Sequence, residues 1–185
     1  GEILNLFDYQ VEAELGASRD PWRDVYLNYK QFDVAHVLAG KFKVPFSLDE
    51  NTSATKLDFV HRSRIATLLA PGRDIGVMVH GRVLPRGWLR YELGVFNEDG
   101  SNARTHTTDR IHGERTFGVA FTASELPEGV SDIRGRTELD AAFYVPAVVV
   151  SGQRQRIGFE ARWRPGPFSV KSEYIRLSDE RRGQS

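Results

Sequence analysis

The chain has 185 residues and no cysteine, and its 25 lysines and arginines balance its 25 aspartates and glutamates. This length fits one domain, and the absence of cysteine excludes disulfide bridges and thiolate metal sites. Zero formal charge gives the chain no general attraction to nucleic acid, and no apolar run reaches the ~18 residues of a transmembrane helix.

Apolar and polar residues alternate along most of the chain, and this period of two predicts β-strands with one apolar and one polar face. The first alternating segment, 3–15, is long enough to cross a bilayer as a tilted strand. Further strands are predicted at 25–30, 34–43, 74–83, 89–95, 116–121, 156–164 and 168–177. Residues 137–150 fit less well, because Pro146 lacks the N–H that a central strand needs. The pattern predicts an all-β, antiparallel up-and-down meander of about eight strands.

The predicted connections fall into two lengths. Pro85–Gly87 and Pro165–Pro167 are tight turns, whereas 44–73 and 97–115 are long polar loops. Short turns at one end and long loops at the other are typical of bacterial outer-membrane barrels. Aromatic residues near the predicted strand ends fit the interfacial girdles of such barrels: Trp22, Phe32, Trp88, Phe96 and Trp163.

The longest connection is expected to be ordered and to fold against or into the barrel. Loops of this length are usually functional or disordered. Disorder is disfavoured because the loop carries apolar anchors, which are Leu57, Phe59, Ile65, Leu68 and Leu69.

In a membrane barrel the apolar face meets lipid and the polar face lines the lumen, so the alternation predicts two sets of residues. The lipid-facing set is Phe7, Tyr9, Val11, Leu38, Ile75, Val77, Val79, Leu89, Tyr91, Leu93, Phe117, Val119, Phe159 and Trp163. The lumen-facing set is Lys41, Lys43, Arg82, Arg90, Glu92 and Arg162. In a soluble barrel the apolar set would instead point inward, and alternation alone leaves that possibility open.

Several spaced segments resemble the phosphate-selective porin O/P family of Gram-negative outer membranes. They are Gly40 to Ser47, Phe59 to Ser63, Pro71 to Gly81 and Gly94 to Asn97, with weaker similarity at 156–160 and 166–174. The resemblance implies a segment of a transmembrane β-barrel in the cell outer membrane, with a long loop that folds inward and narrows an anion-conducting pore.

The same resemblance implies passive uptake of small anions such as phosphate or polyphosphate. Expected partners are those anions, outer-membrane lipid and lipopolysaccharide, and further copies in a homotrimer; neither a cofactor nor a nucleic-acid partner is expected. Because open porins use ~16–18 strands, we expect 1–185 to be a single porin domain truncated at both ends.

An anion channel needs fixed positive charge where the pore is narrow. The candidates for lining the pore and binding anions are Lys41, Lys43, Arg62, Arg64, Arg73, Arg82, Arg90 and Arg162. Arg73 and its neighbour Asp74 are expected to form an ion pair that fixes the return of the loop. The alternative is that the loop cations are solvated or paired with nearby acids. Glu92 and Glu160 interrupt the basic track, so a general anion pore fits as well as a phosphate-selective one.

Catalysis is not expected. The histidines are scattered, at positions 36, 61, 80, 106 and 112, and no motif of a serine hydrolase, zinc protease or phosphate-binding loop is present. The remaining alternative is a soluble up-and-down β-barrel that binds a small ligand, which would purify without detergent.

Overall fold

The computed structural model describes residues 1–16, 21–32, 34–52, 61–83, 89–98, 100–101, 115–125, 141–151, 154–163 and 170–179. They form one antiparallel sheet whose ten strands neighbour each other in chain order. The strands are β1 Glu2–Ile3, β2 Phe7–Ala13, β3 Trp22–Phe32, β4 Ala35–Lys43, β5 Arg73–Val83, β6 Leu89–Phe96, β7 Thr116–Glu125, β8 Ala141–Ser151, β9 Arg154–Trp163 and β10 Val170–Asp179. The predicted all-β meander is confirmed. Between the described strands the sheet is not closed, and β1 and β10 are its two edges.

The first predicted strand is divided in two, which is one reason why the strand number exceeds the expected eight. Leu4 and Asn5 both have left-handed backbone conformations, with φ of 53° and 55°. They turn the chain so that β1 folds back on β2, with Ile3 opposite Phe7. Four of the five residues from Ile3 to Phe7 are apolar, so the apolar pattern did not reveal the break.

Pro146 lies inside β8 at an irregularity of the ladder. The register with β7 shifts between Val119 and Phe121, and the register with β9 shifts between Phe143 and Ala147. A bulge is one of the few places where a sheet tolerates a proline, because the unpaired residue needs no ladder hydrogen bond. The strand that seemed doubtful in the sequence therefore forms around its proline.

Two short helices interrupt the connection between β4 and β5: α1 Leu48–Asn51 and α2 Arg64–Leu69. They have 4 and 6 residues, so each is at most about two turns long. Of the helices in the described ranges, neither is both long and apolar enough to span a membrane.

The connections alternate in length less regularly than predicted. By the strand bounds, the connections 33–34, 84–88 and 164–169 are short and join strands at one end of the sheet, while 44–72 and 97–115 join strands at the other. However, the 15-residue connection 126–140 joins strands at the short-connection end, and the two-residue connection 152–153 joins strands at the long-loop end.

The two faces of the sheet differ in exposure, and we name them accordingly. The outer face is apolar and exposed; its exposed members include Tyr9, Val11, Leu27, Val37, Ile75, Val77, Val79, Leu93, Val95, Phe117, Phe121 and Phe159. The inner face carries most of the charged strand residues and is buried: Asp24, Asn28, Asp74, His80, Arg90, Glu92, Arg156 and Glu160. Such inverted exposure is the arrangement of a barrel whose outside meets lipid and not water.

Two apolar residues lie on the face opposite to their predicted one. Leu38 was expected to face lipid but is buried on the inner face, where it stands opposite Met78 and Asn28. Phe96 was expected in an interfacial girdle but is also buried on the inner face and packs against the ring of Phe42. In both strands the neighbouring position is apolar as well, so alternation alone did not assign the faces.

Trp22 and Phe32 are consistent with two aromatic girdles. They occupy the opposite ends of β3, and both side chains are exposed. The ten residue steps between them cover about 34 Å of strand. A strand tilt of about 40° reduces this to roughly 26 Å along the membrane normal, close to the ~25 Å apolar band of outer-membrane barrels. Trp88 lies outside the described residues, as does the side chain of Trp163.

Candidate functional site

The described parts of the connection between β4 and β5, residues 44–52 and 61–72, fold onto the inner face, and we call them the constriction loop. Its two ends are joined where the Val44 amide donates to the Gly72 carbonyl at 2.9 Å. Val44, Phe46 and Ala70 then enter one buried cluster with strand residues of the inner face, which are Leu38, Phe42, Met78, Phe96, Ala120, Ala147 and Val149. Helix α2 reaches as far as β10. The predicted inward-folding loop is confirmed.

Two inner-face glycines leave the space that the loop occupies. A Cβ placed at Gly118 of β7 would lie 3.7 Å from Pro45, and one at Gly158 of β9 would lie 3.1 Å from the Phe46 ring. Both glycines are buried. Pro45 and Phe46 thus cross from the end of β4 to the middle of β7 and β9. The sequence showed these glycines at polar-face positions, but nothing local indicated what they receive.

Hydrogen bonds fix the start of the constriction loop. Ser47 has a φ of 69°, and its hydroxyl accepts from the Glu50 amide at 3.2 Å. The Asn51 side-chain amide donates to the carbonyls of Phe46 and Ser47, both at 2.9 Å, and at 3.4 Å to that of Val44. Residues 44–51 therefore form a closed local unit in which the carbonyls of Val44, Phe46 and Ser47 all accept hydrogen bonds.

Arg62 joins the two helices of the loop. Its guanidinium donates to the carbonyls of Asp49 and, at 2.9 Å, of Thr52, and it lies 3.9 Å from the Glu50 carboxylate. Beside it, the Ser63 amide donates to the Asp49 carboxylate at 2.6 Å, and the Ser63 hydroxyl caps α2 by accepting from Ala66. A cation at the last carbonyls of α1 is favourable for the helix end.

Lys43 and Arg73 form the base of the loop. The Lys43 ammonium donates to the Glu50 carbonyl at 2.5 Å. The nearby positive charges of Arg62 and Arg73 repel it. Arg73 makes a bidentate ion pair with Asp24 of β3, with N–O distances of 3.1 and 3.2 Å. The expected ion pair between Arg73 and Asp74 is wrong. Asp74 instead accepts from the amides of Ile75 and Glu98, both at 2.7 Å.

Toward the short-connection end, the inner face carries a belt of polar side chains from four adjacent strands. The rings of His36 and His80 lie 5.2 Å apart, and His80 Nε2 is 2.9 Å from the Asn28 side-chain oxygen. Arg90 donates to Glu92 at 2.7 Å, with both side chains almost fully buried. Arg82 stands directly opposite Arg90 in the ladder. Sequence reasoning named the two arginines and Glu92 but missed Asn28 and both histidines.

The structure therefore divides the predicted cations into separate groups. Lys43, Arg62 and Arg73 come together at the constriction loop, and Arg82 and Arg90 are neighbours in the belt. The prediction that Lys41 shares the lumen face is wrong, because Lys41 stands opposite the exposed Ile75 and hence on the outer face.

Two further predicted cations lie apart from these groups. Arg64 is exposed at the start of α2. The backbone of Arg162 pairs with Lys171, and its side chain lies outside the described part of the chain.

Cations and anions are interspersed among the described side chains of the inner face. The cations there include Lys30, Arg82, Arg90, Arg154, Arg156 and Lys171, and the anions include Glu2, Asp8, Asp24, Asp74, Glu92, Glu160 and Glu173. Between the described residues, no group of three or more histidine, aspartate or glutamate side chains is placed to hold a metal ion. The inner surface thus presents alternating charge, without a uniform basic track.

A chain-order meander with an apolar exposed face, a charged inner face and a long loop folded across that inner face defines the porin class of transmembrane β-barrels. The chain belongs to the phosphate-selective porin O and P family, whose model matches residues 1–184. The predicted family is therefore confirmed. Membership points to the outer membrane and implies a channel rather than an enzyme. No curated protein matches the chain significantly.

Proposed function

We propose that this protein forms a water-filled channel for the passive passage of small anions, phosphate and polyphosphate among them. The observation that carries the proposal is the inverted exposure of the sheet, with valines and phenylalanines outside and ionised side chains inside. Ionised groups tolerate an interior only when they are paired or hydrated, and a water-filled lumen offers both.

The constriction loop supplies the narrow section in this proposal. Three cations, Lys43, Arg62 and Arg73, meet two carboxylates, Glu50 and Asp24, at its base. Counted with Asp49, whose carboxylate accepts from the Ser63 amide beside Arg62, the group has three cations and three carboxylates. It therefore acts on a passing ion through the placement of its charges in a narrow region and not through a net charge. Much of its hydrogen bonding goes to loop carbonyls, so these cations act through their field more than as direct ligands.

The belt arginines supply a second region of positive charge below the loop. Arg82 and Arg90 are cross-strand neighbours, and like charges so placed repel unless an anion or a carboxylate lies between them. Glu92 neutralises part of this pair. A passing anion would have to replace a carboxylate such as Glu92 as the partner of an arginine. This competition favours modest anion selectivity over exclusive selection of phosphate.

The remaining expectations for this channel come from the family. The exposed apolar face would contact outer-membrane lipid and lipopolysaccharide, and the assembly would be a homotrimer. That residues 1–185 form part of one larger barrel domain stays a prediction. A soluble ligand-binding barrel is disfavoured, because it would bury the face that is exposed here.

The test is the reversal potential of the protein in planar lipid bilayers under a salt gradient, with chloride and phosphate compared. Arg82→Gln removes an inner-face charge, and Lys41→Gln is the matched control because Lys41 is on the outer face. At 0.01 M salt, where the Debye length is ~30 Å, we expect anion preference for the wild type, a shift toward cations for R82Q and no shift for K41Q. Absence of channels, or a cation preference in the wild type, would overturn the proposal.

A further inference from the structure

We propose that Phe46 is the positioning residue of the constriction loop: its ring, held against Gly158 of β9, fixes the distance of the loop from the barrel wall. This inference rests on the proposed channel function. It assigns the distance between the loop and the barrel wall to an apolar contact, while Arg62 links the two helices within the loop.

The Phe46 side chain is completely buried although it belongs to a loop. It shares the buried cluster with Val149 and Ala147 of β8 and with Phe96 of β6. A Cβ at Gly158 would lie 3.1 and 3.2 Å from two atoms of its ring. The ring therefore lies directly on the inner face of the sheet, far in sequence from the strand that it touches.

The backbone around Phe46 is held too tightly for the ring to withdraw on its own. The Phe46 amide donates to Val44 at 2.7 Å, and the Asn51 amide group binds the carbonyls of Phe46 and Ser47. Because these bonds make residues 44–51 one unit, a change at the ring moves the whole unit. A larger residue at position 158 should thus push the loop off the wall and toward the pore axis.

Glycines elsewhere provide a graded series of controls. A Cβ at Gly118 would meet Phe96 and Pro45 at 3.4–3.8 Å, which is ordinary van der Waals contact. A Cβ at Gly16 would meet no atom within 4 Å. Alanine should therefore be accommodated at both of these positions, whereas alanine at Gly158 requires the Phe46 ring to shift by a few tenths of an ångström.

The experiment measures single-channel conductance and selectivity of the wild type and of Gly158→Ala, Gly158→Val, Gly118→Ala and Gly16→Ala. We expect conductance to fall from wild type to G158A and further to G158V, with no change for G118A and G16A. Selectivity should stay constant in all of them, because no charge is altered.

The complementary variant is Phe46→Ala, in which the loop loses its contact with the wall. We expect a change in conductance and added current noise from a mobile loop, and partial recovery in the double variant Phe46→Ala with Gly158→Leu, where leucine refills part of the space. Since the chain has no cysteine, Arg64→Cys gives a single thiol. Its rate of modification by a water-soluble thiol reagent should change when Phe46→Ala is added.

The outcomes separate the two proposals. If the wild type conducts and F46A and G158V match it in conductance and thiol reactivity, Phe46 does not position the loop. If F46A or G158V fails to fold, the milder G158A and Phe46→Leu decide the question by the same readouts. If the wild type forms no channel, the proposed channel function fails. The positioning role is then decided by thiol reactivity alone, and equal reactivity of R64C with and without F46A would overturn it.

Discussion

The assignment of the outer face to lipid leads to a quantitative prediction at Val77. This residue is half exposed in the middle of β5, on the face that we assign to lipid. It lies four residues from Arg73, which at ~3.4 Å per residue and a tilt of ~40° is roughly 10 Å along the membrane normal. Val77 is therefore close to the middle of an apolar band ~25 Å tall.

Replacing Val77 with arginine should cost about 2–4 kcal/mol, the penalty measured for arginine at the midplane of membrane barrels. This corresponds to a loss of roughly 30- to 700-fold in the folding equilibrium, since ~1.4 kcal/mol is a factor of ten. The same exchange in a soluble barrel would be nearly neutral, because surface substitutions usually stay within about 0.5 kcal/mol.

The assay is reversible unfolding in denaturant with lipid vesicles present, followed by tryptophan fluorescence. Val34→Arg is the matched control, since Val34 is similarly exposed but lies in the turn between β3 and β4. Because this turn lies near the membrane interface, V34R should lower the free energy of unfolding by only ~0–1 kcal/mol. A V77R variant as stable as V34R and the wild type would refute the assignment of this face to lipid.

Three further predictions concern the constriction loop and are measured by the same unfolding assay and by bilayer recordings. Asp24→Asn should destabilise the protein by about 1–3 kcal/mol, because it breaks the ion pair with Arg73. This is less than the ~3–5 kcal/mol for breaking a fully buried pair, since Arg73 keeps some access to water. An unchanged stability would contradict the role of this pair. Arg62→Gln should alter single-channel conductance by loosening the link between α1 and α2, whereas the exposed Arg64→Gln should leave conductance unchanged; equal effects of the two would disprove the link. Asn51→Ala should cost about 1–3 kcal/mol, since two good hydrogen bonds to backbone carbonyls of ~0.5–1.5 kcal/mol each are lost. A neutral result would show that water replaces them.

The sequence alone determined most of the strands, their order and the presence of two faces, but not the break between β1 and β2. These features depend on local chemistry: the period of two along Ile75, Val77 and Val79, and the prolines and glycines of the turns. The spaced segments that resemble the porin family were also readable, and the family match agrees with them. Nearest-neighbour pairing followed because consecutive strands with short connections meet first.

Face assignment failed where both alternating positions are apolar. Leu38 follows Val37, and Phe96 follows Val95, so the period of two fits either choice. Only the register decides between them, since Leu38 is placed opposite Met78 on the buried side. The same register places Lys41 opposite Ile75, although its charge had suggested the lumen.

Partners of the loop residues were decided by the tertiary structure alone. Arg73 was paired with its neighbour Asp74, but the Asp74 carboxylate accepts from the backbone amides of Ile75 and Glu98 instead. The actual partner of Arg73, Asp24, is on a strand 49 positions earlier. Likewise, Phe46 rests on Gly158 because the folded sheet brings β9 beneath the loop. A local pattern indicates which way a side chain points, whereas what it meets depends on which strands and loops the folded sheet places beside it.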